Sequence, residues 1–353
     1  MHKLSFLSIL AIISLVSCHK TSEIPVYKVD ADRALPYTSA DQIIKKQSVV
    51  PIDTSLLLDA VLKATVLEQG FIIQDVAQAR VYLLDRQGNY LCDISRQGQG
   101  PGEYSSLGNI SYDPDNKRID LMNASKNQML HFALDGSYLG TTEGEGDYKP
   151  WYSIFIPEGD GYWFNNSYEQ APDEDKFCLL RTDKQFRITE RYLPYDEGHN
   201  MRINGRNVFW RMGNQIRYVP NYSQTVYSIT SGKEPQPCFS VDFGRHNLDV
   251  ESFKEKLKRG IIYYQDLEGN ASVTIPDFYE TRSQITISYY YKGNLYWTGI
   301  DKRSGDCVSL CMPALDRDGL TSILIQCTAD DQFVCIDSTD PEQPKIVFFT
   351  WMF

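Results

Sequence analysis

A motif that returns about every 48 residues constrains this chain more than any other feature. Leu84-Asp-Arg-Gln-Gly88-Asn-Tyr90-Leu91 aligns without a gap, at an offset of 48, with Phe132-Ala-Leu-Asp-Gly136-Ser-Tyr138-Leu139. The segment 180–186 lies another 48 residues on and keeps the apolar and aromatic positions but not the Gly. Val226–Gly232 follows, then Ile300–Gly305 about 73 residues later, and Ile346–Phe349 one period after that. Each unit reads as a strand, a short polar turn and a second strand, with Asp or Asn beside Gly permitting positive φ in the turn. Alternation in Arg80–Asp85 and Lys117–Met122 supports the strands. A period of roughly 40–50 residues containing several short strands marks propeller blades. A single blade cannot bury both of its faces, so six units across residues 50–353 must close in a ring. The expected fold is an all-β, six-bladed β-propeller.

The fourth and fifth units are too far apart by about 25 residues, and the excess holds the best helix signal in the chain. In Asn247–Gly260, Asn247 or Asp249 can cap, Val250, Phe253 and Leu257 recur at helical spacing, and Gly260 stops the run. Basic residues crowd the C-terminal half, where the helix dipole favours them. The stretch reads as a helical insertion, serving either as a lid or docking element or as a solvated decoration.

The first 18 residues are an address. Lys3 gives a positive start, and Leu4–Val16 is apolar but too short for a membrane-spanning helix, which needs about 20 residues. Leu15-Val16-Ser17-Cys18 has the form of a bacterial lipobox, with Cys18 lipidated as the first mature residue. The expected organisation is a signal peptide over 1–17, a lipidated N-terminus and tether over 18–40, and the propeller over 41–353. The tether, with Pro25 and Pro36, can donate a strand near its end.

Composition narrows the function classes. The chain is 42% hydrophobic, which provides enough apolar surface to rule out disorder. Its net charge is −11, and loss of Lys3 with the signal makes it −12, so nucleic acid is not an expected partner. The expected contacts are the membrane, through the lipid, and a protein or glycan.

The run Arg96-Gln-Gly-Gln-Gly-Pro-Gly-Glu-Tyr104, with Leu84-Asp-Arg-Gln-Gly88 before it, resembles the six-bladed β-propeller lipoproteins of Bacteroidetes, a TolB-like or NHL-like group. Ser223–Ile229, Pro237–Gly244 and Asp316–Gly319 fit the same pattern, whereas Gln224 departs from the Asp common before Thr-Val-Tyr. The resemblance implies a propeller fold and an outer-membrane anchor, and no catalytic residues. In that group an acidic run after the Cys favours surface export. Here only Glu23 is acidic and Lys20 precedes it, so the sequence leaves the membrane face open. Read from its own residues, Gly98–Gly102 is a tight inter-blade loop that Glu103 can pin through backbone amides. Gln99, Gly100, Gly102, Glu103 and Tyr104 are its candidate rim-binding residues.

Candidates for chemistry are sparse. His131, His199 and His246 are far apart and form no His-x₃-His pair, and no Gly-x-Ser-x-Gly elbow exists. His131 reads as a structural histidine. Asp113-Pro-Asp-Asn-Lys-Arg118 and Asp316-Arg-Asp-Gly319 begin like Ca²⁺ loops without completing one, and otherwise read as β-turns. No cofactor is expected, with Ca²⁺ in the channel as the alternative. Seven cysteines follow Cys18, so at least one is unpaired. Several buried free thiols are expected, and Cys327 and Cys335 are placed to face each other across a hairpin. Trp151-Tyr152, Tyr162-Trp163-Phe164, Trp210, Tyr289–Tyr291 and Tyr296-Trp297 supply core, with exposed members available to stack on sugars. The expectation is therefore a lipid-anchored cell-envelope binding or scaffold module. The alternative is a metal-dependent hydrolase or lyase with its site in the central channel.

Overall fold

Six antiparallel sheets account for the repeat. The computed structural model describes residues 24–59, 61–150, 153–166, 176–195, 207–220, 223–259, 274–312, 322–327, 331–337, 340 and 342–353. Its first three strands, β1 (Val26–Lys28), β2 (Leu35–Pro36) and β3 (Ile44–Pro51), join sheets formed far later in the chain. Between β2 and β3 lie a 3-10 turn (Tyr37–Ser39) and a short helix, α1 (Ala40–Ile43).

Blade 1 is β4 (Val61–Val66), β5 (Gly70–Asp75), β6 (Arg80–Asp85) and β7 (Tyr90–Asp93). Blade 2 is β8 (Leu107–Asp113), β9 (Arg118–Asn123), β10 (Gln128–Ala133) and β11 (Tyr138–Glu143). Blade 3 is β12 (Phe155–Glu158), β13 (Gly161–Asn165), β14 (Phe177–Asp183) and β15 (Ile188–Pro194). Blade 4 is β16 (Phe209–Met212), β17 (Gln215–Tyr218), β18 (Thr225–Thr230) and β19 (Lys233–Asp242), to which β1 adds in parallel. After helix α2 (Val250–Lys258), blade 5 is β20 (Thr274–Glu280), β21 (Gln284–Tyr291), β22 (Asn294–Asp301) and β23 (Cys307–Cys311), with β2 added in parallel. Blade 6 is β24 (Ser322–Cys327), β25 (Phe333–Asp337) and β26 (Lys345–Trp351), and β3 completes it as the fourth strand.

The repeated motif is thus the third strand of each blade and the turn after it. Asp85 stabilises one such turn by accepting from the N–H groups of Gln87 and Asn89 at 2.8 and 2.9 Å. Gly88 and Gly136 then adopt φ of +83° and +86°. In blade 3 Asp183 plays the same part toward Gln185 and Arg187, at 2.9 and 3.0 Å. There Phe186 itself takes φ +62° while fully buried, so the missing Gly of the third unit is replaced by an aromatic that burial holds in the left-handed region. In blade 6 the N-terminal β3 pairs with β26 as the fourth strand and closes the ring.

The first strands of successive blades lie side by side around the inner wall. Between blades, apolar faces pack in five clusters, such as Val81, Leu83, Ile119 and Leu121 between blades 1 and 2. The belt formed by β1 and β2 belongs to this core: Tyr27, Val29 and Ala31 are buried with residues of blades 4 and 5. The stretch expected as a tether up to residue 40 is therefore part of the ring from Val26 onward, where it donates two strands.

The expected helical insertion is present as α2. Asp249 caps it, accepting from the Ser252 N–H at 3.1 Å, while Asn247 instead accepts from Phe243 N–H at 2.9 Å in the preceding turn. Phe253 and Lys254 are buried, so the helix is docked and not a purely solvated decoration.

Candidate functional flanks of the propeller

The belt ends in a clasp. Asp30 accepts from the Asp32 N–H at 3.0 Å and turns the chain, which presents the Asp32 carboxylate to two elements at once. Arg245 and His246, after blade 4, reach Asp32 Oδ2 at 2.8 Å each. Tyr291 and Lys292, at the turn between β21 and β22, donate to Oδ1 at 2.8 and 3.2 Å. Arg245 above all, then Tyr291, His246 and Lys292, holds the Asp32 carboxyl far below the usual carboxylate range. Beside the clasp is an open cavity of about 540 Å³ lined by Lys28, Asp30, Arg33 and Asp242 among others. Nothing in the local sequence announces this cluster, because Asp32 and His246 are separated by 214 residues.

Blades 1 and 2 stand opposite blades 4 and 5 in the ring, and among the described residues their outer strands β7 and β11 have no added strand. They expose Leu91, Tyr138 and Leu139. The predicted rim loop joins this flank, since a Cβ on Gly102 would meet the Tyr138 ring at 2.9 Å. Glu103 pins the loop as expected: it accepts from Gly100 N–H at 2.8 Å and from Arg96 at 2.6 Å, and these two contacts, Gly100 first, lower its pKa. Tyr104 differs from its expected role at the rim. Its side chain is buried in the core between blades 1 and 2, and its hydroxyl donates to the Ala79 carbonyl. Gln99, Gly100 and Gly102 remain on the exposed loop, although Gly102 is itself buried by Tyr138.

The remaining sequence candidates are structural. His131 bridges Asp120 at 2.7 Å and Thr142 at 2.8 Å, and Tyr162 of blade 3 donates to the same Asp120 at 3.2 Å, which ties blades 2 and 3. Asp113 accepts from the N–H groups of Asp115 and Asn116 at 3.0 and 3.1 Å, which makes its segment a β-turn. Among the described residues, no three His, Cys, Asp or Glu gather as a metal site would require. Asp316–Gly319, His199, Trp151, Tyr152 and Cys18 lie outside the described residues.

The described cysteines 92, 178, 238, 307, 311 and 335 are free thiols. The hairpin expectation fails on register. The pairing of β24 with β25 puts Cys327 opposite Phe333 and Cys335 opposite Leu324. Among the aromatic groups Tyr162, Trp163, Phe164, Trp210, Tyr289, Tyr291, Tyr296 and Trp297 are buried and serve the core, whereas Tyr290 is partly exposed.

On the inner wall Lys63 donates to the Ile110 carbonyl of blade 2 at 2.9 Å, and burial lowers its pKa to about 8. Gln74, its cross-strand neighbour, donates to Gly108 O at 2.7 Å. Both carbonyls lie in the irregular stretch of β8, so these side chains serve to satisfy a bulge.

A family model described as 6-bladed beta-propeller matches residues 18–336. A protein of Bacteroides fragilis described as a putative exported protein superposes with a TM-score of 0.76 at 17% identity, over 94% of this chain and all of that one. A Bacteroides vulgatus protein of a different family superposes with a TM-score of 0.55 at 9% identity, over 88% of this chain and 98% of that one. No curated protein matches the chain in sequence.

Proposed function

Because this chain belongs to the 6-bladed beta-propeller family that the match over residues 18–336 defines, we propose that it is a cell-envelope binding scaffold, anchored through Cys18 and holding a protein partner on the flank of blades 1 and 2. One observation carries the reading: the ring has two unlike flanks. On one, the segment that follows the lipobox is woven into blades 4 and 5. On the opposite one, Leu91, Tyr138 and Leu139 are exposed on outer strands that carry no fifth strand among the described residues. Exposed apolar side chains beside open backbone edges favour a protein partner over a glycan. The exported Bacteroides neighbour supports an envelope location, and the lipobox supports an anchor in the outer membrane.

The test is affinity capture from solubilised membranes with wild-type protein and with a Leu91→Glu, Leu139→Glu variant, alongside a glycan array. A partner retained by wild type and lost with the variant supports the scaffold. Equal capture by both, or glycan binding untouched by the variant, overturns the assignment of this flank.

A further inference from the structure

We infer that the belt flank of blades 4 and 5 is a membrane-contact surface that lies on anionic phospholipid headgroups. The inference rests on the anchoring of Cys18 proposed above and adds the orientation of the ring.

The first argument is reach. Eight peptide units separate Cys18 from Val26, where β1 is fixed to β19. Fully extended they span at most about 29 Å. A globular domain of this size has a radius of gyration of about 20 Å, or about 50 Å across. The chain is too short for a lipid at Cys18 to pass around the ring, so the belt flank is the side nearest the bilayer.

The second argument is the chemistry of that flank. β1 alternates, with Tyr27 inward and Val26 and Lys28 outward, and Leu35 is exposed farther along the belt. Arg33 and Arg245 have side chains 86% and 81% exposed, and Lys292 is also largely exposed. Asp30, Asp32 and Asp242 share the flank, where Asp30 pairs with Arg33, and Asp32 with Arg245 and Lys292. The four basic side chains against these three carboxylates leave the patch one positive charge in excess on a chain of net charge −11, with apolar side chains interspersed. That combination suits the bilayer interface, where apolar groups enter the headgroup boundary and cations meet lipid phosphates.

The test uses the mature protein carrying Cys18→Ser, which cannot be lipidated, in co-sedimentation with phosphatidylcholine vesicles with and without phosphatidylglycerol. Binding is expected only with phosphatidylglycerol, weakening with added salt. Lys28→Gln and Arg33→Gln should each weaken it about fivefold, whereas Leu91→Ser on the opposite flank should leave it unchanged. Circular dichroism confirms that each variant is folded. Binding that ignores phosphatidylglycerol, or that is indifferent to Lys28 and Arg33, overturns the inference. Fatty-acid labelling of wild type tests Cys18 separately. A labelled protein that fails the vesicle assay overturns only the surface. An unlabelled protein that passes it supports the surface and overturns the anchor.

Discussion

Glu280 offers the sharpest test of how the blades are joined. It ends the innermost strand of blade 5, is 3% exposed, and accepts from Arg217 of blade 4 at 2.8 Å and from Lys302 at 2.7 Å. Changing Glu280→Gln keeps the volume and removes the charge. Lys302 is partly exposed and also donates to the Thr281 carbonyl at 3.2 Å, so it can turn to water at little cost. Arg217 cannot, because its side chain is 8% exposed and one of its terminal nitrogens already lacks a hydrogen-bond acceptor. The cost is therefore mostly that of an uncompensated buried guanidinium, about 3–5 kcal/mol. Replacing both partners, Glu280→Leu with Arg217→Met, removes the stranded charge and should restore stability to within about 1–2 kcal/mol of wild type. Urea unfolding followed by tryptophan fluorescence measures all of these variants. A single variant that loses less than about 1 kcal/mol, or a double variant no better than the single one, would refute the reasoning.

Three further outcomes follow from the geometry. Asp32→Asn should open the belt, seen as faster amide exchange across residues 26–36. Because the folded pKa of Asp32 is lowered, its contribution is complete above about pH 4 and is lost only as pH falls through the folded value, so the belt should stay closed in mild acid. Burial pushes the Cys178 thiol up to about 12, that of Cys307 up to about 11, and that of Cys335 well above its ordinary range. Native protein at pH 8 should therefore resist iodoacetamide at these positions and react on unfolding, as peptide mapping will show. Gly88→Ala should destabilise by about 2 kcal/mol or more, since φ is +83° and the new Cβ would stand 1.9 Å from the Pro51 carbonyl oxygen; calorimetry checks it.

The ring was legible in the chain because each blade's third strand and its turn repeat the same local chemistry, with Asp85 and Asp183 doing one job 98 residues apart. The helix was legible from Asp249 and Phe253 for the same local reason. What escaped is non-local. The pairing of β1 and β2 with outer strands depends on unpaired edges elsewhere, and the stretch around Pro25 and Pro36 has the composition of a linker. The clasp escaped because Asp32, His246 and Tyr291 meet only after three elements fold. Tyr104 was misplaced because its loop is exposed while its ring points into the core. The hairpin of Cys327 and Cys335 was misread because residue spacing does not fix the strand register, which places Cys327 opposite Phe333.

The pairing of β3 with β26 also acts as a clock. Gln47 and Thr350, which share a hydrogen bond at 3.1 Å, are 303 residues apart. Joining ends so distant costs about 5 kcal/mol of chain entropy. A chain made from its N-terminus has β3 early and must wait for residue 351 before blade 6 is complete. Until β24 is made blade 6 lacks three of its four strands, and until β26 follows the sheets already formed have no closed circle to lock into. Final closure is thereby deferred until residue 351 has been made, and the ring locks as a unit only at the end of synthesis.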